Sequence, residues 1–514
     1  MFKKNFYLTI FTVYQFFSTL LLAIGVLPPD FIYLNLLLEL IAVIFFDPEY
    51  ALLSIILSTP FYLALPLHQR DSLESWRIVS AVFFVVFLLK SKIIYWREKP
   101  RFDRSLLKFY RWDKYLAWLA AALLISIVFS SAPMLGIKKL AFAVNIYILY
   151  LAGYNIWQNQ LQRRRAIIAA FIATAIIVLL GYIQLTASFT TSIYYFWQYW
   201  AVFVTKTYYG SALYSTVIYS NSWFTFPPHG GDPSLRMFSI LPDSHSFAVI
   251  ALFSITFGLA VLKYARAKYQ KVLIWVYIVL ANLAIIFSGT KGVWVGVGAI
   301  FLLCAGLFIR RFGRKIIRPI FATSMIFLIL FALSPLIQKA VGAIRSGRGT
   351  ESFIARAKSI YDLNESSNAG RIFIWKTIAK YSAGHFITGA GYGNFAEIVR
   401  PQAETIKKLF NLPVQDITAH NLYLGFLAEA GILGFLAALL YFKSILSIFA
   451  KFFKKYYLFF DDPEVLFVVS SGVTIFALLV YSLVDETLYN DRVLIFFFLV
   501  LALAASIMVK RTDD

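Results

Sequence analysis

The chain of 514 residues contains one cysteine, Cys304, and it lies in an apolar run. That excludes disulfide scaffolding and a cysteine metal site. Charge is scarce as well: 14% of residues are Asp, Glu, Lys or Arg, against about a quarter in soluble globular proteins. Acids are scarcest, with 26 Asp and Glu facing 48 Lys and Arg. The acids that could serve a metal, Asp232, Asp243, Asp416 and Glu429, are scattered, with no Asp-x-Asp or His-Glu cluster among them. No metal or other cofactor is therefore expected.

Apolar residues dominate instead. The chain is 60% hydrophobic with a mean hydropathy of +0.73, and apolar runs long enough to cross a bilayer recur along its length. The expected spans are 6–26, 31–46, 50–67, 77–96, 115–131, 136–156, 166–186, 238–262, 272–288, 291–309, 318–338, 418–442, 464–484 and 491–509. Met1 to Val26 reads as a first span, because no small-residue cleavage site follows it. The net charge of +22 does not point to nucleic acid. The basic residues cluster between runs, at Lys90–Lys114, Arg163–Arg165, Lys263–Lys271, Arg310–Arg318 and Lys443–Lys455. Fourteen spans with the N-terminus inside place all five clusters in the cytoplasm, as the positive-inside rule requires. The same count puts 187–237 and 339–417 outside.

Three stretches on the outer side carry polar groups where a membrane boundary makes them costly. The aromatic loop 187–237, with Tyr194, Tyr195, Trp197, Tyr199 and Trp200, ends in Arg236-Met-Phe-Ser-Ile-Leu-Pro-Asp-Ser-His. Its aromatics suit the headgroup interface, or could stack on sugar rings or guide an isoprenoid chain. Arginine on this face runs against positive-inside statistics, although a snorkelling helix anchor would also put it there. Ser288-Gly-Thr-Lys291-Gly292 is a tight hairpin that leaves Lys291 at the outer interface; with no Ser or Thr after the Gly-Lys order and no preceding strand it is not a P-loop. The loop 339–417 predicts a turn at Gly347–Thr350, a helix capped by Thr350 running to about Leu363, and a second break at Asn364–Gly370. Arg371 to Ile378 then has Ile374, Trp375 and Ile378 at helical spacing, and Gly389-Ala-Gly-Tyr-Gly393 reads as a turn. His420-Asn421 then opens a hydrophobic helix containing Glu429, Gly431 and Gly434. Asn421 or Thr418 could simply cap that helix, with His420 facing water.

Arg236, Lys291 and Arg371 are thus outer cations, and His420 is a titratable base on the same side. The combination suits transfer from a diphosphate-linked sugar. Guanidinium and ammonium neutralise the departing diphosphate, no general acid is needed, and one imidazole takes the proton of the acceptor hydroxyl. Attack opposite the leaving group would invert the anomeric centre. A two-carboxylate glycosidase pair is neither needed nor visible.

Over about 232–445 these motifs resemble the O-antigen ligase and polymerase superfamily of membrane glycosyltransferases. The resemblance rests on Arg236 followed by Pro242-Asp243-Ser244, on Ser288 to Gly292 with Lys291 where the family has arginine, on Arg371-x-x-x-Trp375 with the Gly389–Gly393 turn, and on His420-Asn421-x-x-Leu424 with Glu429-x-Gly431-x-x-Gly434. It implies an all-α polytopic membrane protein of about 12–14 transmembrane helices with a large, mainly helical extracytoplasmic loop, GT-C-like in organisation. Residues 1–231 would form N-terminal helices and the aromatic loop, 232–445 the catalytic region with loop 339–417, and 446–514 the C-terminal helices. It implies transfer of a glycan from undecaprenyl diphosphate to a glycan, lipid or protein acceptor outside the cytoplasmic membrane, without metal or nucleotide. Arg236 and Arg371, with Lys291, would bind the diphosphate; His420 would activate the acceptor, supported by Asn421 and Glu429.

Two other readings compete. A lipid-linked oligosaccharide flippase would share spans and cationic pocket but predicts matched repeats with broken helices, and none is evident. A GT-C-type enzyme using an acid of the first outer loop would draw on Asp71 or Glu74.

Overall fold

The computed structural model describes residues 2–65, 73–91, 94–96, 100–102, 107–219, 223–225, 233–344, 356, 358–363, 365–410 and 414–513. Asp71, Asp232, Asn364 and the Gly347–Thr350 turn with its cap lie outside the described residues.

The first half holds α1 (Phe2–Ala23), α2 (Phe31–Phe45), α3 (Pro48–Ser58), α4 (Ser75–Lys90), α5 (Asp113–Val128), α6 (Pro133–Ile156) and α7 (Gln160–Thr190). A short α8 (Ile193–Phe196), a π-helical stretch (Trp197–Val204) and α9 (Thr205–Tyr219) fill the aromatic loop. Then come α10 (Ser244–Tyr264), α11 (Lys268–Phe287), α12 (Lys291–Ile309) and α13 (Arg314–Ile344). The large loop contributes α14 (Ser366–Gly384), α15 (Phe395–Val399) and α16 (Ala403–Phe410). The chain ends with α17 (Leu422–Tyr456), α18 (Pro463–Tyr481) and α19 (Asp491–Asp513). Sheet among the described residues is limited to three small antiparallel pairs: β1 (Ala64–Leu65) with β2 (Leu73–Glu74), β3 (Ile94–Trp96) with β4 (Pro100–Phe102), and β5 (Phe224–Thr225) with β6 (Ser234–Leu235). The protein is an all-α polytopic membrane protein. Among the described residues ten helices are long and apolar enough to cross a membrane, and the shorter α2, α3, α4 and α5, of 11 to 16 residues, pack in the same bundle.

Side-chain contacts fix which helix ends lie together. Tyr50 at the start of α3 bonds to Asn5 at the start of α1, and Lys90 at the end of α4 donates to the Ile44 and Phe46 carbonyls at the end of α2. Arg165, at the start of α7, pairs with Glu49 at 2.8 Å. Arg163 forms a forked pair with Glu464 at the start of α18, 2.7 and 3.1 Å, and Lys263 at the end of α10 reaches Asp461. All these ends form one end of the bundle, and described members of the basic clusters, Lys90, Lys108, Arg163, Arg165, Lys263 and Lys315, sit there. The opposite end collects the large loop and the starts of α10, α12, α17 and α19. There, Arg77 pairs with Asp491 at 2.7 Å.

Helices α10, α18 and α19 form the buried centre. Small residues allow the close approach that lipid-embedded packing needs: a Cβ on Gly296 of α12 would sit 3.0 Å from the Ala477 carbonyl of α18. Thr256 and Thr474 share a hydrogen bond between α10 and α18 at 2.7 Å, a polar pair inside the apolar centre.

Candidate active site

Arg236 enters the site from the segment between β6 and α10. Backbone bonds hold that segment on two sides, Arg236 N to the Trp223 carbonyl at 2.8 Å and Met237 N to the Phe287 carbonyl at 3.0 Å. Gln184 of α7 accepts from the amides of Phe238 and Ser239 and donates to the Ser239 carbonyl. This network lets Ser239 hold φ 56°, a conformation that costs a non-glycine residue about 1–3 kcal/mol. The guanidinium of Arg236, 7% exposed, donates through Nε to the Ser288 carbonyl at 3.0 Å. Arg356 donates to the next carbonyl, Gly289, at 2.8 Å. Gly289 has φ 63°, and a Cβ there would lie 3.3 Å from Nε of both arginines. The tight hairpin predicted at 288–292 is therefore a platform of carbonyls for two guanidinium groups.

Lys291, one residue on, reaches Ser359 at 3.0 Å and Glu365 at 3.2 Å. Glu365 also caps α14 by accepting from Asn368 N. Two turns into α14, Arg371 and Trp375 share a face because they are four residues apart. Trp375 donates to the Ala419 carbonyl at 3.1 Å, which fixes the residue before His420. Arg371 keeps a buried Nε with no hydrogen-bond partner.

His420 is half-buried and holds φ 48°. Its ring stacks on Phe410 of α16, centroids 6.1 Å apart. Asn421 behind it caps α17, accepting from the amides of Tyr423 and Leu424 at 3.0 Å, and donates to the Leu483 carbonyl at 2.7 Å. Leu422 N donates to the Ser482 carbonyl. The capping reading of Asn421 is thus correct, and the cap also ties His420 to the turn after α18.

That turn carries a group the sequence did not single out. Asp485 lies 3.2 Å from Nδ1 of His245, in the first turn of α10, and accepts from Thr487 at 2.6 Å. Tyr481 Oη stands 2.9 Å from the same His245 nitrogen. Burial works against ionisation of Asp485, but His245, the Thr487 bond, His420 and Arg371 outweigh it and hold its pKa below the ordinary aspartate value. Burial and then the Arg371 charge push His420 down to about 4, with Asp485 pulling the other way. Burial and the adjacent Arg356 also press against the charge of Arg236, lowering its pKa. Arginine remains protonated nonetheless. The arrangement is a half-enclosed cluster of cations whose first neighbours are carbonyls as much as carboxylates, beside a neutral imidazole. It suits a polyanion.

The remaining candidates fall elsewhere. Glu429 pairs with Lys139 of α6 at 2.9 Å, and Lys139 lies over the rings of Tyr392 and Tyr489. Glu429 therefore joins α17 to α6, a step away from the arginines. Asp243 caps α10, accepting from Ser246 N at 2.7 Å. Glu74 accepts from Trp76 Nε1 at 2.6 Å and sits beside Arg492, committed to a buried structural cluster. The glycine-rich turn is present, with Gly389, Gly391 and Gly393 all at positive φ. It docks on a break in α17 at Gly431, φ 63°, through Ala390 N to the Ala428 carbonyl and Ile432 N to the Phe386 carbonyl.

Residues 276–439 match the family model described as O-antigen ligase. The match spans about a third of the chain, and over that segment the protein is similar to the O-antigen ligase family. No curated protein matches the chain. The O-antigen ligase region contains Lys291, Arg356, Arg371, His420, Asn421 and Glu429. Arg236, His245 and Asp485 lie outside it and join the cluster only through the fold. His245 and Asp485 carry no motif signal; their approach depends on α10 and α18 packing together.

Proposed function

We propose that the protein is a glycosyltransferase of the O-antigen ligase and polymerase type, moving a glycan from a polyprenyl diphosphate, of the undecaprenyl class, to an acceptor hydroxyl. The observation that carries this reading is the convergence of Arg236, Arg356 and Arg371 with His420 at one end of a membrane bundle. The arginines and Lys291 hold the diphosphate and stabilise it as it leaves. His420, neutral near pH 7, takes the acceptor proton as the hydroxyl attacks the anomeric carbon with inversion. Asn421 and Trp375 position the imidazole, and the His245–Asp485 pair sets the local field. Neither metal nor nucleotide takes part. The basic clusters at the opposite end orient the chain by the positive-inside rule, so the site faces the extracytoplasmic side of the cytoplasmic membrane, where the lipid-linked donor and a glycan, lipid or protein acceptor meet.

The test uses purified protein in liposomes with a polyprenyl-diphosphate oligosaccharide and products sized by mass. A ladder of lengthened glycans identifies a polymerase. Consumption only after a core lipid, glycan or protein is added identifies a ligase and its acceptor. A donor that crosses the bilayer unaltered under every condition would replace this reading with a transporter.

A further inference from the structure

The N-terminal helices contain a buried acid that the chemistry above does not use. Glu39 lies in the middle of α2 and is 3% exposed. An ionised carboxylate at this depth needs a counter-charge, yet among the described residues it forms no ion pair. The groups turned toward it are Gln15, Ser58 and Tyr62. Two of these spend their hydrogens elsewhere: Ser58 Oγ donates to Gln15 Oε1, and Tyr62 Oη donates to the Ile55 carbonyl at 3.1 Å. A hydroxyl has one hydrogen, so with those bonds made neither hydroxyl donates to the carboxylate at the same time. Glu39 Oε1 has no hydrogen-bond partner. The Gln15 amide nitrogen is the one donor left among these three.

A small cavity adjoins the carboxylate, with about 10 Å³ open to the centre of a water molecule. That is room for one water or one bare ion. Its polar lining is Gln15 and Thr19 of α1, Asn35 and Glu39 of α2, and Ser75 at the start of α4. The Asn35 amide oxygen already accepts from Tyr14 at 2.9 Å, which fixes it in place with a lone pair to spare. The polar part of the cavity is thus neutral oxygen-bearing side chains around one carboxylate. Hard oxygen donors of this kind select hard cations. One carboxylate balances a single positive charge, whereas a divalent ion would leave net charge buried.

We propose that Glu39, with Gln15, Thr19 and Asn35 around this cavity, binds one small monovalent cation of the sodium class. The ion neutralises the carboxylate and joins α1, α2 and the start of α4, upstream of the region that matches the O-antigen ligase family.

Thermal unfolding of the full-length protein in detergent tests this, with sodium chloride replaced stepwise by choline chloride at constant ionic strength and pH. The wild-type midpoint is expected to rise with sodium and saturate, as for any ligand that binds only the folded state. Glu39→Gln removes the charge that needs balancing, so its midpoint should not depend on sodium. Thr19→Val, which keeps the carboxylate and removes one oxygen, should require about tenfold more sodium for the same shift. If Glu39→Gln does not fold, Thr19→Val alone decides the matter. A wild-type midpoint indifferent to sodium would overturn the site, because a proton would then neutralise the carboxyl. A sodium response unchanged in both variants would overturn it as well, by locating the ion elsewhere.

Discussion

At the residue scale the central group is His420. Its pKa near 4 in the free site makes it neutral through the physiological range, so proton acceptance is available without prior deprotonation. Bound diphosphate brings negative charge beside the ring and favours imidazolium. The acid limb of kcat/KM, which reports the free enzyme, is therefore expected at lower pH than the acid limb of kcat, which reports the donor complex. Coincident limbs measured over pH 4 to 8 would show that the donor does not sit against this histidine. Asp485→Asn removes a charge that supports protonation of His420, so it should lower the imidazole pKa further and weaken its power as a base. A fall of about tenfold to a hundredfold in kcat/KM is expected, with donor affinity retained. Titration of the His420 ring by NMR checks the first part and steady-state kinetics the second. Lys291 was legible as a cation at the interface, but its engagement with Glu365 was not, because nothing in the local sequence joins positions 74 residues apart. The same holds for Asp485, the first of two adjacent acids after an apolar run, whose partner His245 lies on α10 and whose neighbour His420 stands just before α17.

At the element scale, local sequence and fold agree wherever apolar periodicity is long. The ten long apolar helices were readable because each coincides with an expected apolar run. The broken α17 was less so. The Glu429-x-Gly431-x-x-Gly434 pattern marks small residues, but only the approach of the Gly389–Gly393 turn explains the break. At Gly431 a Cβ would meet the Ile387 carbonyl at 2.1 Å. Gly431→Ala adds that clash to a left-handed conformation costing about 1–3 kcal/mol. It is expected to lower the thermal midpoint and expose the 385–393 loop to protease; an unchanged midpoint with intact protease resistance would show that the docked turn is dispensable. The helices of the aromatic loop were not readable, since dense aromatics without a polar face give no amphipathic signal. At the opposite end, Arg163 and Glu464 form a pair only 5% and 4% exposed. Breaking such a pair leaves an unpaired buried charge and costs about 3–5 kcal/mol. Arg163→Leu should destabilise the protein by roughly that amount, and Arg163→Leu with Glu464→Leu should recover most of the loss in a thermal-unfolding comparison.

At the scale of the whole molecule the account depends on sidedness and on the division of labour within the site. The lone cysteine makes sidedness accessible. In a Cys304→Ser background, Leu363→Cys, at an exposed position before α14, should react with an impermeant maleimide added outside intact cells. Tyr269→Cys, exposed at the start of α11, should react only after lysis. The reverse pattern would put the arginine cluster in the cytoplasm. The central claim is that the arginines hold the donor while His420 performs the proton transfer. It is tested most directly by measuring donor affinity and turnover on the same reconstituted samples of wild type, Arg371→Ala and His420→Ala. Arg371→Ala should weaken binding of a fluorescent polyprenyl-diphosphate glycan by about tenfold or more. His420→Ala should bind it as wild type does and lose about 10²–10⁴ in turnover. Turnover by His420→Ala within a few-fold of wild type would contradict the account.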